Sequence, residues 1–589
     1  MFTSRKIFIG FGLFILLALA VACSPQPTPT LEATQPPAEQ PPSAPEATQA
    51  IAPTGATPTE AAPVEPAPTE PAATAPPAAG EPSPGGTVTF AFSSDWGTLD
   101  PGTGTGFTFA RNIMQFIFDP LLRKNPETAE IGPGLAESFE VSDDGLIITL
   151  TLREGVTFHD GTPFNSEAVK FSFDRIVEDA ELNSALAPQI EGTVASVEIP
   201  DERTVVITLT QPSAPFLDLL TESWMAPVSP AAVEEFGADF GLNPVGTGPF
   251  RFVSTTPDEE IVLARNEDYN WAPDYYDHQG PPYIEELIVL NVSEDGTRMA
   301  LIETGEIDMV YNPINAQVPA FEADPGFYVV YGTRPGVPRV FVLNTERPPF
   351  DDVVVRQALG WAVDRERILA EVFQGIGAAA RGVLTPGLFG HWAEGEDQWP
   401  GFDLDRAAQM LAEAGWEDTD GDGILDKDGQ PFSITYGSIP GFPFDQMGQI
   451  LVADLNTLGI EVTIENEEQA AYLADLRAGK WNLAGMLFAA TDPDVLTQVA
   501  HSESIDAAWN TARYVNPEVD AMIDEARVTL DPEARASLYH DIQMILLEDM
   551  PYIPFYVIQN PYIVNARVQN FKSDSQAFLD FYDAYVVEQ

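Results

Sequence analysis

Between residues 432 and 488 the chain carries two β–α–β units end to end, and that pattern leaves few folds open. Residues 432–436 form a short strand-like run; residues 445–458 put Met447, Leu451, Leu455 and Leu458 on one helical face; Gly459 stops the helix; and Ile460, Val462 and Ile464 alternate as a second strand. A helix over 471–477, a stop at Gly479 and a strand over 481–488 repeat the unit. Crossovers of this kind are right-handed and build a parallel sheet covered by helices, and ligands bind outside the carboxyl ends of its strands. Two loops leave those ends, 437–444 (GSIPGFPF) and 489–494 (AATDPD). Both are therefore expected at a cleft.

The chain before these units mixes hairpins with helices. Residues 139–141 and 147–152 read as a hairpin about Asp143-Asp144-Gly145, since Asp-Gly supplies the positive φ that such a turn needs. After the HDGTP loop at 159–163, Asn165 or Ser166 can cap a helix with Val169, Phe173 and Ile176 on one face. Residues 193–199 and 204–209 read as a second hairpin, and 86–92, 283–292, 307–310 and 340–344 as further strands. Helices are expected over 108–118, 298–304, 352–373 with an interruption at Asp364, 404–414, 517–529 and 532–548, before strand-like runs at 552–557 and 562–568.

The wording GLAESFEVSDDG, LREGVTFHDGTPF, LDP at 99–101, NPVGTGPF at 243–250, VRQALGWAVDRE at 355–366, LAEAGWEDTDGDGILDKDG at 411–429 and the C-terminal RASLYHDIQMILLEDMPYIPFY resembles family 5 extracellular solute-binding proteins, the receptors of peptide, nickel and opine-type importers of the ABC class. The resemblance spans nearly everything after Gly85, with the blocks in family order. It implies an α/β, two-lobed fold of the periplasmic-binding-protein type (type II, the large cluster with an extra subdomain). Lobe I would cover 85–335 and 555–589 with an inserted subdomain at about 104–200, and lobe II 336–554, joined by two hinge crossovers near 334–344 and 554–560. It also implies a monomeric receptor that delivers a small polar solute, an oligopeptide or an oligosaccharide, to an ABC permease in the membrane. The loop carrying Asp95, Trp96, Gly97 and Thr98 would be one wall of the cleft, with Trp96 either stacking on ligand or packing on its own lobe.

Ligand identity turns on the loop after Phe488. In the peptide-binding branch of the resembling family an aspartate shortly before the Asp-Pro of this loop holds the α-ammonium, and alignment on Asp492-Pro493 puts Ala489 there. A buried ammonium without a carboxylate is expensive. Asp492, Asp494 or Asp95 can substitute, or the ligand is a sugar, a blocked or cyclic peptide or another polar organic solute, stacked on Trp96, Phe442, Phe444 or Phe488 and hydrogen-bonded by Ser438 and Thr491.

The amino-terminal region addresses location. Arg5 and Lys6 precede the apolar run 7–20, and Ala20-Val21-Ala22 supplies the small residues of a cleavage site. The arrangement resembles a lipoprotein signal over 1–22, which would leave Cys23 as the lipidated first residue of a cell-membrane-anchored, extracytoplasmic chain. It is the only cysteine, so no intramolecular disulfide and no multi-thiolate metal site can form. Residues 23–84 are mostly Pro, Ala, Thr, Gln and Ser, a composition expected to stay a disordered tether.

Chemistry other than binding finds little support. With 28 basic against 90 acidic residues the formal charge is -62, which excludes nucleic acid as a natural partner. HExxH, GxSxG and SxxK are absent and the five histidines show no metal-helix spacing, so the chain is not expected to be an enzyme and needs no cofactor. A tethered carbohydrate-active enzyme is the rival reading, because two carboxylates distant in sequence leave no spacing to recognise. Asp418, Asp420, Asp422 and Asp426 fall at positions 1, 3, 5 and 9 of a calcium-type loop with Gly423 at 6, but position 12 is Gly429 where a bidentate Glu belongs. That loop is a candidate for structural calcium or an unmetallated acidic turn.

Overall fold

The structure, a computed structural model, describes residues 81–587 except 105–107, 127, 180, 181, 183 and 442. The signal segment, Cys23 and the tether up to residue 80 lie outside the described residues, as does Phe442. No helix among the described residues is long and apolar enough to cross a membrane.

Two large sheets organise the molecule. The first has seven strands, in the order Phe327–Thr333, Gln559–Asn565, Met309–Tyr311, Thr87–Phe92, Glu286–Asn291, Glu260–Arg265 and Phe250–Thr256. The central strand Thr87–Phe92 lies parallel to both neighbours and buries Val88, Phe90, Ala91 and Phe92 completely. A strand apolar on both faces suits a sheet covered on both sides. Phe90 stacks on Phe581 at 5.4 Å and meets Phe92 edge-on at 5.5 Å, so the carboxyl-terminal segment closes the core of this lobe.

The second sheet has six strands, ordered Ala378–Ala379, Tyr552–Val557, Gly336–Leu343, Leu483–Ala489, Ser433–Ser438 and Glu461–Asn466. Both expected β–α–β units are present. Ser433–Ser438 is parallel to Glu461–Asn466 on one side and to Leu483–Ala489 on the other, with the helices Pro443–Thr457 and Gln469–Arg477 as the crossovers. Met447, Leu451 and Leu455 are buried as the helical spacing requires.

A four-stranded antiparallel sheet, Ala136–Val141, Ile147–Leu152, Thr204–Leu209 and Val194–Asp201, stands beside the first lobe and packs the helix Ser166–Glu178. Of the two possible caps it is Asn165 that acts, its side chain accepting from the Ala168 N–H at 3.0 Å. The sequence motifs around it serve packing. His159 N–H donates to Gly246 O at 2.9 Å, and its Nε2 lies 3.0 Å from Gly248 O. A β-carbon on Gly246 or Gly248 would meet the Ile117 and Phe116 carbonyl oxygens at 2.2 and 2.5 Å, which is why only glycine fits this passage. Burial holds the His159 imidazole neutral, its pKa lowered to about 4.

The chain passes between the large sheets twice. Phe327–Thr333 ends in the first and Gly336–Leu343 starts in the second; Tyr552–Val557 ends in the second and Gln559–Asn565 returns to the first. The Arg334 N–H donates to Ile558 O at 3.0 Å, so the two crossovers run side by side. Next to them Gly336 has φ +125°, and a β-carbon there would meet Phe488 O at 2.1 Å.

Candidate binding site

A cavity of about 320 Å³ lies between the two sheets at these crossovers. That is the lower end of the range for small-molecule sites. The first sheet's side contributes Arg111 from the helix Thr108–Ile117, Asp218 from the helix Ala214–Leu219, then Glu222, Trp224 and Tyr311, with Gln576 and Phe578 from the carboxyl-terminal segment. The crossovers contribute Arg334, Pro335 and Asn560, and the second sheet's side contributes residues 488–492, Asp494, Val495 and Gln498. The wall from the second lobe is thus the loop at the carboxyl end of the strand Leu483–Ala489, the place where a parallel sheet offers ligand contacts.

Of the residues singled out in the sequence, Phe488, Ala489, Thr491, Asp492 and Asp494 line the cavity. Phe488 is half-buried, its ring edge-on to Trp509 at 5.5 Å, and Arg477 covers the other ring of that pair at 3.6 Å. The other described ones do not line it. Trp96 is 5% exposed and packs into the core of its own lobe, so of its two readings the packing one holds. Asp95 Oδ1 accepts from the Gly97 N–H at 3.1 Å and Thr98 Oγ1 from the Asp100 N–H at 3.2 Å, which commits Asp95, Gly97 and Thr98 to shaping their own turn. Ser438 is fully buried, and Phe444 packs against Gly485 with the Arg339 guanidinium 4.9 Å from its ring. Neither is among the residues that line the cavity.

Most charges in the cavity are paired. Lys124 reaches Asp218 and also donates to Thr491 O at 2.9 Å, while Thr491 Oγ1 donates to Asp218 Oδ2 at 2.7 Å. Arg111 pairs with Glu222, donates to Gln576 Oε1 at 2.9 Å, and lies between the rings of Trp224 (4.1 Å) and Phe578 (4.5 Å). Arg535 grips Asp492 with two nitrogens at 2.8 and 2.6 Å, and Arg527 stands 3.1 Å from Asp494. Burial pushes the Asp218 carboxyl up to about 6 against the pull of Lys124, and the Asp494 carboxyl up to about 6 against that of Arg527. Neither Asp492 nor Asp494 is thus an unclaimed substitute for the carboxylate missing at Ala489.

Arg111, Glu222, Trp224, Arg334 and Gln576 escaped sequence reasoning. They come from four separate stretches that meet only in the folded chain, and no local spacing marks them.

The acidic loop stands apart from this cavity. Asp418, Asp420 and Asp426 bring one carboxylate oxygen each within 4.8 Å of one another, without Asp422. Their oxygens already accept from the loop itself: Asp418 from the Gly421 and Gly423 N–H groups at 2.7 and 3.1 Å, and Asp426 from the Thr419 N–H at 2.9 Å.

Residues 130–505 match the family described as bacterial extracellular solute-binding proteins, family 5 Middle. The glutathione-binding protein GsiB of Shigella dysenteriae serotype 1 is 28% identical over 494 residues, covering 82% of this chain and 90% of that protein. Among solved structures, HbpA2 from Haemophilus parasuis superposes with a TM-score of 0.75 at 26% identity, covering 85% of this chain and all of that one. The periplasmic binding protein DppA from Helicobacter pylori, in complex with the peptide STSA, gives 0.68 at 25% identity, covering 86% and 99%.

Proposed function

We infer, for a chain that belongs to the family 5 bacterial extracellular solute-binding proteins, that it captures an oligopeptide or similar small polar organic solute between its lobes and passes it to the permease of an ABC importer. Members of this family are binding receptors and not enzymes. The observation that carries the reading is the cavity itself: it sits at the paired crossovers, and both large sheets supply its walls. A solute that touches both lobes stabilises the closed arrangement by the contacts that exist only there. Relatives that bind glutathione and the peptide STSA support short peptides as the first class to try.

Capture from outside the cytoplasm agrees with the signal and tether read from the sequence, in which Cys23 would carry the lipid and residues 23–84 the reach. A Pro-rich segment extends by ~3 Å per residue, enough for a receptor to swing between solution and a permease. A cation at the acidic loop would have a structural part only, since none of its four aspartates lines the cavity.

The test is thermal-shift screening of the full chain against short peptides, their N-acetylated forms, neutral oligosaccharides and divalent metal ions. Ligand at about 100 times its Kd stabilises a protein by ~2.7 kcal/mol, which moves a melting midpoint measurably. Stabilisation by peptides is expected. Stabilisation by oligosaccharides alone would replace the peptide reading with a sugar receptor.

A further inference from the structure

The four carboxylates of the cavity each have a cation: Asp218 has Lys124, Glu222 has Arg111, Asp492 has Arg535 and Asp494 has Arg527. The cations are not matched in the same way. Arg334 lines the cavity at the crossover, and among the described residues no acid forms an ion pair with its guanidinium. Burial lowers its pKa and the like charge of Arg111 adds to this, with Tyr311 and Tyr562 opposing. Arg339, five residues on, repeats the situation. Its guanidinium faces the rings of Phe444 and Phe373 at 4.9 and 6.0 Å, its Nε has no hydrogen-bond partner, and burial, with Arg334 nearby, lowers its pKa to about 10.

A shortage of acids does not explain this, because the chain carries 90 acidic residues for 28 basic ones. Arg334 is half-buried, and taking even part of a guanidinium out of water without a counter-ion is unfavourable, so folding alone would favour a carboxylate beside it or a neutral side chain in its place. A counter-ion that arrives with the ligand resolves the mismatch. Guanidinium presents a planar fork that fits a carboxylate with two parallel hydrogen bonds. The net charge of -62 does not oppose this at close range, since salt screens exposed charges beyond ~8 Å.

We propose that the captured solute is an acid whose carboxylate takes the Arg334 guanidinium as its counter-ion, and that capture needs no free amine, because each carboxylate of the cavity already has its own cation. This rests on the cavity being the capture site. It also places the ligand's charge on the crossover itself, where Arg334 N–H is bonded to Ile558 O of the returning strand, so that filling the site acts directly on the joint between the lobes.

The experiment compares four probes on the full chain by thermal shift and calorimetry: a mixture of tripeptides with free carboxyl termini, the same mixture N-acetylated, the same mixture carboxyl-amidated, and oligogalacturonate as an acid that is no peptide. Free and N-acetylated peptides are expected to bind alike and the amides at least tenfold more weakly, the size of a lost hydrogen bond to a charged group. Arg334→Gln is expected to weaken the acids by a similar factor without lowering the melting midpoint of the unliganded chain, since it removes an unpaired charge; Arg334→Lys recovers part of the binding. Equal binding of acids and amides, or undiminished binding in a folded Arg334→Gln, would overturn the proposal while leaving the peptide reading intact. Binding of oligogalacturonate alone, lost in Arg334→Gln, would keep the anchor and overturn the peptide reading. No binding by any of the acids overturns the proposal. A phosphorylated sugar, run beside oligogalacturonate, separates a carboxylate site from one for phosphate: tighter binding of the phosphate overturns the carboxylate assignment.

Discussion

Thr491 Oγ1 donates a 2.7 Å hydrogen bond to Asp218 Oδ2, tying the loop after the strand Leu483–Ala489 to the helix Ala214–Leu219 across the cavity. Lys124, which holds the same carboxylate, also reaches Thr491 O, so one ammonium and one hydroxyl clasp both lobes on a single aspartate. The clasp exists only when the lobes are together. Thr491→Val keeps the shape of the side chain and removes the donor, and a hydrogen bond to a charged group contributes ~1.5 kcal/mol or more. The variant should release bound tripeptide about tenfold faster, and small-angle scattering should show a larger radius of gyration in its unliganded form. An unchanged release rate would mean that closure draws nothing from this contact.

How much of this was legible in the sequence depends on how local the signal is. The two β–α–β units were readable because helix spacing at Met447, Leu451 and Leu455 and the stops at Gly459 and Gly479 are written within some fifty consecutive residues, and they led directly to the loop with Phe488, Ala489, Thr491 and Asp492. The opposite wall was not readable. Arg111, Glu222 and Gln576 join through ion pairs and hydrogen bonds between residues more than a hundred positions apart, a separation at which spacing carries no information. Trp96 could have gone either way on sequence. In the folded chain it shares one buried core with its neighbour Leu99. Phe444 follows the same logic, since the missing side chain of Gly485 leaves room for its ring.

Asp574 sits beside the cavity, in a smaller one of about 90 Å³, and burial pushes its carboxyl up to about 7. The folded state therefore holds a proton that the unfolded chain, with an ordinary carboxylate, gives up. Stability from this group is full at low pH and is lost as pH rises from about 4 to about 7; Asp218 and Asp494, both raised to about 6, act in the same sense over a shorter window. His159 acts in the opposite sense, its lowered pKa removing stability as pH falls from about 6.5 toward 4. Asp574→Asn keeps an oxygen to accept from the Gln576 and Phe578 N–H groups, now at 2.9 and 2.8 Å. It should raise stability at pH 8 by a few kcal/mol, at ~1.4 kcal/mol for each pH unit of the window, and hardly at all at pH 4. Melting midpoints of parent and variant across this range check it, and parallel curves would contradict it.

Removal of divalent cations should leave solute capture untouched. Asp418, Asp420 and Asp422 are exposed and Asp426 half-buried, their carboxylates are engaged by N–H groups of their own loop, and none of the four lines the cavity. Calorimetric titration of tripeptide with and without EDTA should give the same Kd within error. A loss of affinity on chelation would move a metal into the capture site itself.

Asp492 and Arg535 allow structural and binding roles to be separated. Their side chains are 14% and 8% exposed, and the bidentate pair fixes the loop that presents Thr491 to Asp218. Breaking a buried pair from one side leaves an uncompensated charge and costs ~3 kcal/mol or more, whereas exchanging both partners for apolar groups of similar volume is often close to neutral. Asp492→Leu and Arg535→Met should therefore each lower the melting midpoint by several degrees, and the double variant should recover most of that loss. Binding should not recover with it. The two apolar replacements pack without the directed hydrogen bonds that set the loop's orientation, and the Thr491 contact depends on that orientation. Tripeptide affinity in the double variant is expected to stay about tenfold weak, measured by calorimetry. If affinity returns together with stability, the pair matters only for folding, and the loop is held by its backbone.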